Sequence, residues 1–166
     1  MKQEKTTDVL EINIKSPSDL YSNFSINNNK ILNPEIQQHI SSTVEGFSKR
    51  NDLKIKINSS KNFTEKEKQD ARNVLKNTFK KVVDDNNKTI NSYCIFALVF
   101  LLIGIVSIVV LHVISSFAPY VLKTILEIVS WVFVWEFVDV LCFRTFFRII
   151  KNKQNKKIYK SEIEFS

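Results

Sequence analysis

The chain has 166 residues, a formal charge of +7, 44% hydrophobic and 11% aromatic content, enough for one modest domain with an accessory segment. Its only glycines, Gly46 and Gly104, exclude P-loop and dinucleotide fingerprints, which need several close glycines so that backbone N–H groups approach phosphate. Two histidines, His39 and His112, and two cysteines, Cys94 and Cys142, are unclustered, so metal-ligand spacing and a disulfide framework are absent, and no cofactor is expected.

In chain order, Leu10, Ile12 and Ile14 alternate with Glu11, Asn13 and Lys15, which predicts a half-buried strand. Ser16 to Lys30, with Pro17 and an Asn-rich run, reads as a loop with one turn near Asp19 to Phe24. Asn33-Pro34 supplies an N-cap and a first-turn proline, and Ile36, Ile40, Val44 and Phe47 recur at helical spacing. Leu53, Ile55 and Ile57 alternate with Lys54, Lys56 and Asn58 as a second strand. Thr64 and Glu67 form a capping-box pair ahead of an apolar stripe at Ala71, Val74, Leu75, Thr78, Phe79, Val82 and Val83, the second helix. Asp84-Asp85-Asn86-Asn87 is expected to break that helix, a bent continuation being the alternative.

Thr89 to Leu122 carries no formal charge, and Tyr93 to Val113 is almost wholly apolar. About 20 such residues cross a hydrocarbon core of roughly 30 Å, so a transmembrane span is expected over about 91–114. After Ser115-Ser116-Phe117-Ala118-Pro119 a second apolar run predicts another span over about 120–147. The first thirty residues are polar and lack an apolar signal-peptide core, so the first span is expected to act as its own insertion signal. Arg72, Lys76, Lys80, Lys81 and Lys88 precede the first span, basic residues from Arg144 to Lys160 follow the second, and the connection has none before Lys123. Both termini are therefore expected in the cytoplasm.

Residues 151–166 form a basic tail in which Tyr159 to Phe165 alternates as a strand. The fold class expected is a membrane α-helical hairpin of two transmembrane helices plus a small cytoplasmic α/β domain of about three strands and two helices. The domain occupies 1–88, the hairpin 89–150, and the tail strand returns to the domain's sheet.

Glu136 and Asp139, three residues apart in the second span, share one helix face, where a carboxylate in the bilayer costs roughly 2.5 to 3.5 kcal/mol. Two readings follow: packing groups facing a partner helix, subunit or hydrated notch, or the lining of an ion path at Glu136. His112 reads as an interfacial histidine, or as a partner for Glu127 across the hairpin. Trp131 and Trp135, four residues apart, read as packed against the first span or another protomer. Arg144, Arg148, Lys151, Lys153, Lys156 and Lys157 read as contacts to anionic lipid headgroups, worth about 1 kcal/mol each near the surface. Nucleic acid is the minority alternative for this charge. No serine or cysteine nucleophile has a histidine base in reach of the pattern.

The stretch Ser130-Trp131-Val132-Phe133-Val134-Trp135-Glu136-Phe137-Val138-Asp139, with its aromatic-basic exit, resembles an uncharacterised family of small bacterial two-span membrane proteins. The resemblance rests on Ser-Trp-Val followed by Trp-x-x-x-acid before a basic tail. Phe137 stands where that family often has proline, and Arg144-Thr145-Phe146-Phe147 replaces an acidic, Trp-rich exit. The resemblance implies the inner-membrane topology and no particular activity. The expectation is a non-catalytic, oligomeric membrane protein whose cytoplasmic domain binds an unknown partner, the alternative being an oligomeric ion channel or pore-forming effector.

Overall fold

The computed structural model describes residues 7–25, 30–48, 51–114 and 117–166. Ser115 and Ser116 and the Asn-rich residues 27–29 lie outside the described residues. The chain divides into two compact units: a sheet unit of residues 1–85 and 152–166, and a helical unit of residues 86–151.

In the sheet unit, β1 (Thr7–Ile14) and β2 (Asp52–Ser59) are joined through a 3₁₀ turn (Pro17–Leu20) and α1 (Pro34–Glu45). The strand β3 (Glu162–Phe165) pairs with β2, and the three strands run parallel in the order β1-β2-β3. Parallel pairing needs long crossovers. The first is α1, and the second is everything between Ser59 and Glu162, so the helical unit is an insertion in one β-to-β connection.

Local chemistry explains the elements. Asn33 Oδ1 accepts the Glu35 N–H at 3.0 Å and Pro34 opens α1. The capping box at Thr64 closes with the Thr64 N–H donating to Glu67 Oε2 at 2.9 Å and the Glu67 N–H donating to Thr64 Oγ1 at 3.3 Å. One face of the sheet, with Leu10, Ile12, Leu53, Ile55, Ile57 and Ile163, joins Ile40, Val44, Ala71, Leu75, Phe79 and Ile158 in a single core.

Among the described residues, the core packs on that face alone. Parallel sheets are ordinarily covered on both sides, yet here the register lines the opposite face with Glu11 beside Lys56 beside Glu164, and Val9 beside Lys54 beside Glu162. Lys56 is thus flanked by carboxylates on both sides and Lys54 on one, with Lys54 paired to Glu164 at 2.5 Å, and Asn58 Nδ2 donates to Asn13 Oδ1 at 2.9 Å. Opposite charges side by side make this face compatible with water.

The expected break at Asp84–Asn87 does not occur: α2 runs from Glu65 to Ile114 without interruption. Asp and Asn cost only several tenths of a kcal/mol each in a helix, and the stretch holds neither glycine nor proline, so flanking turns carry it through. The second apolar run is also longer than expected. The helix α3 (Tyr120–Val138) passes through a π-helical turn (Asp139–Thr145) into α4 (Phe146–Lys160). Tyr159 and Lys160 are therefore helical, and the terminal strand begins only at Glu162.

Within the helical unit α2 and α3 pack through small side chains. Ala97 and Ser130 are buried, and a Cβ placed on Gly104 would meet Val134 Cγ2 at 3.2 Å and Phe133 Cβ at 3.6 Å. The Phe100 and Phe133 rings lie 6.2 Å apart. Among the described residues one helix, α2, is long and apolar enough to cross a membrane, and its most apolar stretch is only 11% buried. The expected second span falls short of that measure, because Lys123, Glu127 and Glu136 interrupt α3.

Candidate functional site

The densest polar chemistry of the helical unit sits where α3 gives way to the π turn. An α-helix turns 100° per residue, so positions five apart point well away from each other. Widening to i→i+5 bonding stacks them instead. Asp139 and Arg144 are five apart, and the Arg144 Nε–H donates to Asp139 Oδ2 at 2.8 Å. Thr145 Oγ1 likewise donates to the Val140 carbonyl at 2.8 Å, and both Thr145 and Val140 are buried. The turn thus gives Asp139 a counter-charge that α-helical periodicity could not reveal. One turn further on, Arg148 lies 5.1 Å from the centroid of the Tyr93 ring and donates to its hydroxyl at 3.4 Å.

Other residues singled out from the sequence are dispersed. Glu136 is half-buried, and its carboxylate has no partner among the described residues. His112 is exposed in the last turn of α2, and Glu127 is exposed on α3. Glu127, Ser130, Trp131 and Val134 line a cleft of about 360 Å³ with Ile108 and Leu111 of α2. The Ser130 hydroxyl is engaged by the Leu126 carbonyl at 2.8 Å. Trp131 and Trp135 are 69% and 66% exposed, so most of each indole surface is left open to a contact outside this chain or to lipid. The face that α3 turns to α2 is carried by Ser130, Phe133 and Val134, with Trp131 bordering it at the cleft.

The basic exit divides into two kinds of residue. Arg144, Lys151, Lys153 and Lys156 are exposed, Arg148 is half-buried against Tyr93, and Lys157 is drawn into the sheet unit. Lys157 Nζ donates to Asp8 Oδ2 at 3.1 Å and to the Ser48 carbonyl at 2.9 Å. The Asn51 amide and then the Lys157 ammonium hold the Asp8 carboxyl below its ordinary range. Lys157 therefore fastens α4 to the start of β1. Asn152 and Asn155, within the basic tail, are buried. The signal was present: between Lys151, Lys153, Lys156, Lys157 and Lys160, positions 152, 155 and 159 are uncharged at helical spacing.

A second polar cluster ties the loop after β1 to α2. Lys30 Nζ meets Asp70 Oδ2 at 2.6 Å and lies 5.0 Å from the Tyr21 ring centroid. The Lys30 hydrogen bond lowers the Asp70 pKa, the same bond raises that of Lys30, and burial raises that of Tyr21. A lowered acid loses its contribution as pH falls through its folded value, and a raised base loses its own as pH rises through its folded value. This clasp is accordingly constant across neutral pH and opens only in acid or strong alkali.

Among the described residues no group of three His, Cys, Asp or Glu side chains is placed to hold a metal ion. Comparisons with protein-family profiles, curated proteins and solved structures gave no match, so the resemblance at Ser130–Asp139 stands on its motif alone.

The Asp139–Arg144 pair and the unpartnered Glu136 make opposite predictions for the same chemical change. Asp139→Asn leaves Arg144 without its counter-charge and is expected to lower stability by up to about 1 kcal/mol, since the pair is partly exposed. Glu136→Gln removes a half-buried charge that has no partner to lose, and is expected to be neutral or stabilising. Unfolding titrations of the two variants in detergent, followed by tryptophan fluorescence, check the order.

Proposed function

We propose that this chain is a non-catalytic protein of the bacterial inner membrane, in which residues 89–150 form a two-span hairpin and the sheet unit is a cytoplasmic binding module. The observation that carries the reading is the bare apolar surface of α2. A core helix in a soluble protein would be mostly buried, whereas this stretch is 11% buried and exposes Ile95, Phe96, Leu98, Val99, Leu102 and Val106. Such a surface requires lipid or further protein around it. The apolar part of α3 extends the same surface, with Trp131 and Trp135 as the proposed contacts to a second copy. Its three ionisable residues fit a span whose ends reach the interfaces and whose centre is shared with other helices. Arg144, Lys151, Lys153 and Lys156 are the proposed anionic-lipid contacts.

Binding in place of catalysis is the better reading of the sheet unit, because its closest charged side chains are spent on one another. Lys54 with Glu164, Lys30 with Asp70 and Lys157 with Asp8 are structural pairs.

The topology is checked by cysteine labelling in cells, with Cys94 and Cys142 replaced by alanine. Ser25→Cys and Lys156→Cys are expected to react with an impermeant maleimide only after the inner membrane is opened, and Phe117→Cys in intact spheroplasts. Reaction of position 25 in intact spheroplasts overturns the orientation, and recovery of the chain in the soluble fraction overturns the anchor. Lys156 is the suitable reporter in the tail, being exposed where Asn155 is buried.

A further inference from the structure

The strand β1 is an edge of the sheet, eight residues long, with no proline. The Ile14 carbonyl accepts the Ser60 N–H at 3.3 Å, so Ile14 turns its backbone groups toward β2. In a parallel ladder, residues of the same parity, Ile12 and Leu10, do likewise, and Val9, Glu11 and Asn13 direct their N–H and C=O groups outward. An outward row of this kind is a template for another strand. Alongside it runs a groove of about 390 Å³ between β1 and α1, with Ile14 and Ile36 as its apolar lining and Glu35 and His39 on its helical wall.

From this juxtaposition we infer that the β1 edge and its groove are a docking site for an extended, basic segment of a partner protein, which adds to the sheet as a fourth strand. Successive side chains of an added strand point to opposite faces. Those directed toward α1 meet Ile14, Ile36 and the Glu35 carboxylate; those over the opposite face meet Glu11. Both carboxylates are exposed, and histidine is the only basic residue type lining the groove, in a chain whose overall charge is +7. The complementary ligand therefore alternates apolar residues, turned toward Ile14 and Ile36, with Lys or Arg over the opposite face beside Glu11, its main chain bonded to β1. This inference rests on the reading of the sheet unit as a binding module and names the surface and the chemistry of the partner.

The test uses the full chain in phosphatidylcholine nanodiscs and a fluorescein-labelled peptide, Lys-Val-Lys-Val-Lys-Val, read by anisotropy against empty nanodiscs. Saturable binding is expected, absent for the Glu-Val-Glu-Val-Glu-Val counterpart. Glu11→Lys is expected to weaken it about tenfold, the equivalent of about 1.4 kcal/mol. Val9→Pro removes an outward N–H without touching the β1–β2 ladder and is expected to weaken binding similarly, whereas Val9→Thr, which keeps the N–H, preserves it. Circular dichroism confirms that each variant folds. Absence of saturable binding, indifference to both Glu11→Lys and Val9→Pro, or occupation of the edge by a second copy in cross-linking overturns the proposal. Labelling at positions 25, 117 and 156 reads the membrane anchor separately, so loss of peptide binding with that pattern intact removes the groove alone.

Discussion

Phe79→Ala is expected to unfold the sheet unit while leaving the apolar segment in the membrane. Phe79 is fully buried in the core formed by both strand and helix residues. Truncating a buried phenylalanine costs about 3 to 5 kcal/mol through lost apolar burial and the cavity left behind. A domain of this size has total stability of roughly 5 to 15 kcal/mol, and one whose sheet is covered on a single face belongs to the lower part of that range. Phe79→Leu conserves most of the volume and is expected to cost under about 1.5 kcal/mol. Limited proteolysis of membrane vesicles opened to expose the sheet unit distinguishes them. The alanine variant should be cut rapidly before residue 85, with a fragment containing 89–114 retained in the pellet, and the leucine variant should resist like the native chain. Loss of the chain from the pellet in the alanine variant would show that the apolar segment does not anchor it unaided.

The sheet and its helices were legible because period and punctuation agreed at each element. The alternation of Leu10, Ile12 and Ile14 and of Leu53, Ile55 and Ile57 is that of one-sided strands, and Asn33-Pro34 and Thr64-x-x-Glu67 mark helix starts by the donors they satisfy. Asp84–Asn87 misled because polarity is a weak breaker: without glycine or proline, no backbone constraint stops a helix already propagating. The tail misled for a related reason. Its lysines dominate the composition, yet the buried positions are Asn152, Asn155 and Ile158, and the core sees only the face between the charges.

The polar site was the least legible. Arg144 reads as a lipid contact and Asp139 as an intramembrane acid when both are placed on an α-helix, and their pairing needs the wider π turn. Nothing in residue type announces such a turn, because it exchanges one bonding register for another without a proline or glycine. The charged face of the sheet shows the converse. Lys54 and Lys56 have the look of ordinary polar positions of a strand, and only the register reveals that Lys56 stands between Glu11 and Glu164 and Lys54 beside Glu162.

Gly104→Leu is expected to separate α2 from α3. Gly104 is one of two glycines in the chain, and its φ is not positive, so backbone freedom does not explain it; proximity does. A methyl group there would lie 3.2 Å from Val134 Cγ2, so Gly104→Ala needs a shift of a few tenths of an ångström and is expected to cost under about 1 kcal/mol. A leucine has three more carbons to place against Phe133 and the Val134 backbone, 3.7 Å away, and overpacking of this kind costs about 1 to 3 kcal/mol. In lipid that loss falls on the main source of helix association, since apolar side chains gain nothing by leaving hydrocarbon and close packing at small residues must hold the pair. Trp131 and Trp135, both on α3 and both exposed, report the result. Detergent unfolding followed by their fluorescence should shift strongly for leucine and slightly for alanine, with membrane insertion unchanged in both. Equal stability of Gly104→Leu and the native chain would show that α2 and α3 do not meet at Gly104, and the proposed two-span hairpin would lose its packing seam.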